Sequence, residues 1–149
     1  MNKNLLLKIS TVLWGIWGVF HLLIGVLMVA TFSGSDSEGN LKAIPVVLDF
    51  VMNGMSMPFP ILASLKQHAF NLGWIGAVVT IGSYYIWKKK PNTIILCAIV
   101  GGFADLGYFI FVDLAGYAQP PATQMTWISA SAIILSLYVY FTTDKLSTL

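Results

Sequence analysis

The chain has 149 residues, of which 57% are hydrophobic and only 9% are charged. Soluble domains carry roughly 25% charged residues, so this composition excludes an ordinary water-soluble domain and predicts an integral membrane protein. All eight basic residues are Lys and the net charge is +2, which is too little basic surface for nucleic-acid binding. The single cysteine, Cys97, excludes an intrachain disulfide and a cysteine-based zinc site.

Four segments are apolar over the ~20 residues that a helix needs to cross the hydrocarbon core of a bilayer. The first covers residues 9–32, and it is longer than the apolar part of a signal peptide, so we expect a true span. The other three cover residues 67–87, 92–112 and 126–142. The sequence therefore predicts an all-α bundle of four transmembrane helices, with residues 1–149 forming one membrane domain.

A long loop, residues 33–66, separates the first two spans. It begins with the polar segment SGSDSEGN and continues as an apolar stretch that Pro45, Pro58 and Pro60 interrupt, which disfavours a spanning helix. We expect a short amphipathic or re-entrant helix near residues 45–52, followed by an irregular cover over the outer face of the bundle. The MNGMSMP segment in this loop offers soft thioethers to Cu(I), although methionines more often serve as flexible filler.

The segment KKKPN, residues 88–92, predicts a tight charged turn between the second and third spans. Lysines collect in cytoplasmic loops, and an even number of spans places both termini on the side of this turn. That side then holds six of the eight lysines, at positions 3, 8, 88, 89, 90 and 145. We expect the inner (cytoplasmic) membrane of a bacterium, with both termini in the cytoplasm.

The polar residues of the spans fall at similar depths. Counted from the cytoplasmic lysines at 1.5 Å per helical residue, His21 and Asp105 lie about 20 and 22 Å up. On the same count Asn71 lies about 25 Å up and His68 about 30 Å up, and Trp127 begins the fourth span at a similar height. Polar groups inside a membrane tend to face the bundle interior or a wet cavity. The sequence thus predicts a polar pocket in the outer half of the bilayer.

Helical spacing refines this pocket. Trp14, Trp17 and His21 are three and four residues apart and share a face of the first span. We expect His21 and Asp105 to face each other beside a cavity, as acid, base or orienting groups, because a carboxylate can orient a histidine ring. The predicted ligand-binding residues are Trp14, Trp17, His68, Asn71, Tyr108 and Trp127. The plainer alternative is that the tryptophans only pack and His21 only bonds a neighbouring helix.

Three functions remain open. The preferred one is a membrane protein that binds or acts on a lipophilic small molecule, since aromatic walls with a few polar groups are usual in ligand pockets. The second is an accessory subunit of a larger membrane complex, paired with another protein or with copies of itself. The third is a haem or copper protein, although a vertical separation of about 10 Å between His21 and His68 is awkward for one iron. The sequence specifies neither a cofactor nor a reaction type, and it predicts no metal cluster.

The lysine distribution makes the orientation testable. Alkaline phosphatase needs disulfides and is active only outside the cytoplasm, so a fusion after residue 149 should be inactive in cells. The same reporter inserted between residues 117 and 118 should be active. An active fusion at the C-terminus would contradict the predicted threading.

Overall fold

The computed structural model describes residues 2–33, 59–117 and 121–143. Four α-helices occupy most of these ranges: α1, Lys3–Ser33; α2, Phe59–Trp87; α3, Pro91–Tyr108; and α4, Ala122–Thr142. A π-helical turn, Phe109–Asp113, continues α3 directly. The four segments are long and apolar enough to cross a membrane when the π-helical turn is counted with α3. This confirms the predicted all-α class and the four long apolar helices.

The helix starts differ from the predicted spans. α1 starts at Lys3 rather than at residue 9 because the Asn2 side chain caps it, accepting a 3.2 Å hydrogen bond from the Leu5 N–H. α2 starts at Phe59, so the last residues of the loop predicted for residues 33–66 are helical. Pro60 is tolerated in the first turn because no intrahelical partner exists there for a missing N–H. The helix expected near residues 45–52 and the MNGMSMP cover lie outside the described residues.

The KKKPN segment forms the predicted turn between α2 and α3. Lys89 has a φ of 59°, in the left-handed region. Its N–H donates to the Ile86 carbonyl at 2.8 Å, and the Lys90 N–H donates to the Tyr85 carbonyl at 3.0 Å. This pair of bonds is the Schellman arrangement that ends many helices, usually with glycine at the left-handed position. Pro91 then opens α3, where its fixed φ suits the first helical turn.

The chain divides into two compact units. The first consists of Met1–Val19 together with Ala77–Leu149, and the second of Phe20–Gly76. Residues 3–19 of α1 and 77–87 of α2 therefore belong to the first unit with α3 and α4. The remaining residues of α1 and α2 make up the described part of the second unit.

In the first unit, the lysines at the start of α1 contact the ends of α2 and α4. The Lys3 ammonium donates to the Thr142 carbonyl, which joins the start of α1 to the end of α4. The Lys8 ammonium lies 5.7 Å from the centre of the Trp87 ring, which joins α1 to the end of α2. The beginning of α1, the KKKPN turn and the end of α4 thus share one end of this unit.

The buried face of α1 in the first unit is more polar than its exposed face. Ser10 and Thr11 are buried, and both hydroxyls donate to the Leu7 carbonyl, at 2.9 and 2.8 Å. These bonds satisfy the hydroxyls within the helix itself. Apart from Lys8, the large exposed side chains of this part of α1 are aliphatic, namely Leu5, Ile9, Val12, Ile16 and Val19. This is the reverse of a soluble amphipathic helix, whose polar face meets water.

In the second unit, α1 and α2 pack antiparallel around two glycines. A Cβ on Gly25 would lie 2.3 Å from the Gly73 nitrogen and 2.8 Å from the Ala69 carbonyl oxygen, so no side chain fits there. The reverse position is looser, because a Cβ on Gly73 would meet Gly25 only at 3.9 Å. Beside this crossing Met28 and Phe32 of α1 form an apolar cluster with α2. Small residues of this kind allow close helix packing in lipid.

The two glycines should respond in opposite ways to the same substitution. Gly25→Ala should destabilise the fold by roughly 1–3 kcal/mol, because its methyl group meets backbone atoms that cannot rotate away. Gly73→Ala should be neutral or stabilising by up to ~1 kcal/mol, because alanine favours a helix and the site has room. Unfolding followed by circular dichroism in detergent measures both. Equal effects of the two substitutions would contradict the close approach at Gly25.

Candidate functional site

The centre of the candidate site is the carboxylate of Asp105, which is only 7% exposed in the interior of the first unit. The Trp17 indole N–H donates to its Oδ2 atom at 2.7 Å. The Ser129 hydroxyl donates to the same oxygen. Residues from α1, α3 and α4 therefore meet at one acceptor. Hydrogen bonds to an ionised group are among the stronger ones in proteins, so this contact helps to fix the three helices.

The sequence of α4 explains why Ser129 reaches this point. Ser129, Ala132, Ser136 and Val139 are its buried residues and recur at intervals of three and four, which makes one stripe along the helix. The serine hydroxyls in this stripe have local partners as well. That of Ser129 lies 3.0 Å from the Thr126 carbonyl, and that of Ser136 donates to the Ala132 carbonyl at 2.6 Å. The single proton of Ser129 can thus be shared between Thr126 and Asp105.

A second tryptophan, Trp14, packs against Trp17. The rings of Trp14 and Trp17 meet edge to face, with centroids 6.2 Å apart and planes at 85°. The Trp14 N–H donates to Ser136 at the long distance of 3.5 Å. Gly101 makes room for this ring, because a Cβ there would lie 2.7 Å from the Trp14 Cζ3 atom. A glycine one turn before Asp105 is therefore needed to let the tryptophans and α3 approach.

A recess of about 240 Å³ opens between α3 and α4, and Asp105 and Ser129 are part of its lining. Most of the remaining wall is apolar and is made by Gly102, Leu106, Phe109, Trp127, Ala130 and Ile133. Phe109 begins the π-helical turn, whose wider backbone frequently occurs at functional positions. The exposed surface of the recess is almost wholly apolar, and the Asp105 carboxylate beside it accepts hydrogen bonds from Trp17 and Ser129.

Some of the predicted site residues come together in the first unit. Trp17 and Asp105 are hydrogen-bonded, Trp14 packs on Trp17, and Trp127 lines the recess with Asp105. Tyr108 is half-buried in the last turn of α3. The catalytic and ligand-binding roles assigned to these residues from the sequence stay predictions.

The other predicted residues belong to the second unit. His21 is half-buried, and its ring meets Phe20 edge to face with centroids 5.9 Å apart. Asn71 accepts a 3.1 Å hydrogen bond from the Trp74 indole, and His68 is exposed. The facing of His21 and Asp105 also stays a prediction, since the two residues lie in different units.

The geometry of the second unit bears on the haem alternative. His21 precedes Gly25 by four residues, and His68 precedes Gly73 by five. Because α1 and α2 are antiparallel there, the histidines lie on opposite sides of the glycine crossing, about 14 Å apart along the helices. The haem alternative predicted from these two residues stays a prediction. Among the described residues, no group of three or more His, Cys, Asp or Glu side chains could hold a metal ion.

Two features of the site were not predicted from the sequence. Trp17 was expected as part of a ligand-binding wall, whereas here it is a hydrogen-bond donor to Asp105. Ser129 was not among the predicted site residues, although it bonds the same carboxylate. The available signal was the seven-residue spacing of Ser129 and Ser136, which places two hydroxyls on one face of an apolar helix.

Comparisons with protein-family models, with curated proteins and with solved structures found no match. We therefore infer the role of the recess from its own residues, which are a hydrogen-bonded carboxylate and apolar side chains around it.

The indole of Trp17 can be tested as a structural donor. Trp17→Phe keeps an aromatic ring but removes one hydrogen bond to a buried carboxylate, which should destabilise the fold by roughly 1–3 kcal/mol. Trp127→Phe is the matched control, since Trp127 is 66% exposed and a surface change should stay within ~0.5 kcal/mol. Chemical unfolding in detergent compares the two variants. A Trp17→Phe protein as stable as the control would contradict the assigned hydrogen bond.

Proposed function

We propose that the chain is an integral membrane protein that binds a lipophilic small molecule in the recess between α3 and α4. The observation that carries the proposal is that Asp105 is among the residues lining a recess whose exposed surface is almost wholly apolar. A carboxylate accepts hydrogen bonds and attracts cations. The ligand would therefore carry an N–H, O–H or ammonium group on an apolar body.

The size and shape of the recess support a ligand that is only partly enclosed. At about 240 Å³ it is smaller than the roughly 300–1,000 Å³ of typical ligand pockets. A polar head near Asp105 would fit inside, while an apolar tail would extend along α3 and α4. Such a tail would meet side chains such as Leu106 and Trp127, both of which are exposed at the edge of the recess.

The outer surface of the first unit supports a membrane setting. Large apolar side chains there have exposures between 68% and 76%, namely Phe103, Phe111, Ile134 and Phe141. Soluble monomeric proteins rarely expose contiguous apolar patches of this kind. Lipid chains would cover these side chains, and the polar groups would remain inside the bundle.

The proposed location is the inner membrane of a bacterium, with both termini in the cytoplasm. The lysines at the start of α1 contact the ends of α2 and α4 in the first unit, through the pairs Lys8 with Trp87 and Lys3 with Thr142. A single lysine-rich end fits the excess of lysine found in cytoplasmic loops.

Binding is better supported than catalysis. Asp105 with Trp17 and Ser129 forms a fixed acceptor for a donor group, which is enough for recognition. Acid–base chemistry would need a second titratable group next to the ligand, and the predicted partner for that role is His21. An accessory-subunit role is the alternative, and it would be indicated by co-purification with fixed protein partners.

Decylamine is a suitable probe, because it joins an ammonium group to an apolar chain. Titration of the detergent-purified protein should give saturable binding that Asp105→Asn weakens by roughly tenfold or more, since the charge attraction is lost. Gly102→Leu should also reduce binding, because its side chain would enter the recess next to Ile133. Decanol, which has a hydroxyl but no charge, should bind more weakly than decylamine.

Gly107→Leu is the control for the recess-filling variant. It lies in the same helix, and a Cβ at Gly107 would meet nothing within 4 Å, so its leucine should leave binding unchanged. If Asp105→Asn and Gly102→Leu both bound decylamine as tightly as the wild type, the recess would not be the binding site.

A further inference from the structure

A second recess, of about 250 Å³, lies at the lysine-rich end of the first unit, between the start of α1 and the end of α2. Its lining includes two lysines, Lys8 and Lys89, and two neutral polar residues, Asn4 and Thr11. The remaining lining residues are apolar or aromatic. A water molecule takes about 30 Å³ in the liquid, so the recess has room for a phosphate group with water around it.

Lys89 has a backbone conformation that glycine adopts more easily. Its φ of 59° places a Cβ close to the following carbonyl oxygen, which is unfavourable for every residue except glycine and, to a lesser degree, asparagine. Lys89 also differs from its neighbours in solvent exposure: it is half-buried, whereas Lys88 and Lys90 are exposed. The turn thus accepts backbone strain and brings a lysine into the recess lining, which indicates that the side chain has a use there.

Among the residues that the structure describes, the charges around the recess are unbalanced. Lys8 and Lys89 are both cationic and share one cavity, so they repel each other unless an anion lies between them. The described carboxylates, Asp105 and Asp113, stand 15 or more residues beyond Lys90 along α3 and its π-helical turn. That distance is about 22 Å or more, too far to neutralise the lysines. Trp87 contacts the Lys8 ammonium through its ring face, which orients the charge without cancelling it.

We propose that this recess binds a phosphate-bearing anion, held by Lys8 and Lys89 with the Asn4 amide as a further donor. A lipid headgroup or free phosphate would present the same oxygens to these donors. The surroundings favour the lipid, because the exposed aliphatic residues Leu5 and Ile9 lie next to the recess on α1 and would pack against an acyl chain. The site is separate from the Asp105 recess, and its occupation does not depend on the function proposed for that recess.

The full chain in a neutral detergent can be titrated with dioctanoyl phosphatidylglycerol by calorimetry, and with dioctanoylglycerol, which has the same chains but no phosphate. Only the phospholipid should bind. Lys8→Gln and Lys89→Gly should each weaken its binding by roughly tenfold, the effect of losing one charge-assisted contact. Lys90→Gln removes the same charge from the same turn outside the recess, and its affinity should stay within about twofold of the wild type.

Lys89→Gly separates binding from folding, because glycine adopts the left-handed conformation without strain. Its midpoint of thermal unfolding without lipid should equal or exceed that of the wild type while its affinity falls. Competition by inorganic phosphate at millimolar concentration would show that the phosphate group alone is recognised. An absence of competition would show that the whole headgroup is recognised. Equal weakening by Lys89→Gly and Lys90→Gln, or binding of dioctanoylglycerol as tight as that of the phospholipid, would overturn the proposal.

Discussion

The first unit is organised around one requirement, the placement of a carboxylate in an apolar interior. An isolated charge in such an environment is strongly unfavourable, so Asp105 needs donors from its neighbours. Trp17 and Ser129 supply them from α1 and α4, and both bonds reach the same oxygen. Because each donor lies on a different helix, the three helices can meet at Asp105 in only one register. The positions of Trp14, Gly101 and the recess wall then follow from that register.

Two glycines allow close packing at helix contacts in this protein. At Gly101 the missing side chain admits the Trp14 ring, and at Gly25 it admits the backbone of Gly73. Close contact of this kind gains dispersion energy and does not rely on the removal of apolar surface from water. The buried hydroxyls are largely satisfied within their own helices, as at Ser10 and Thr11. Among the described residues, side-chain hydrogen bonds between buried groups of different helices occur at Asp105 and at Ser136.

The two recesses of the first unit have opposite character. The surface of the one at Asp105 is almost wholly apolar, whereas the one at the lysine-rich end includes two lysines in its lining. Both lie where the backbone departs from regular α-helix. The first includes Phe109 at the start of the π-helical turn, and the second includes Lys89 in the left-handed position of a Schellman turn. Such departures change the direction of side chains that a continuous helix would hold on its outer surface.

The sequence by itself determined the all-α class, the number of long apolar helices and the turn at KKKPN. These features follow from local chain properties, namely the length of apolar runs and the effect of proline and lysine. It also singled out Asp105 as a site residue, because a polar group inside a membrane tends to face the bundle interior. The sequence did not predict that helices start at Lys3 and Phe59. A capping asparagine precedes the first of these helices and a first-turn proline opens the second, in segments whose composition is typical of loops.

Only the tertiary structure decided which residues meet Asp105. Spacing places Trp14 and Trp17 on one side of α1, and nothing in the sequence says that the Trp17 indole donates to the carboxylate. Ser129 is one of many hydroxyl residues in the chain, and its role depends on the rotation of α4 about its own axis. That rotation, and the depth at which α1 meets α3, are fixed by packing between residues far apart in the chain. Helical periodicity specifies the faces of each helix separately, but it does not specify which faces meet.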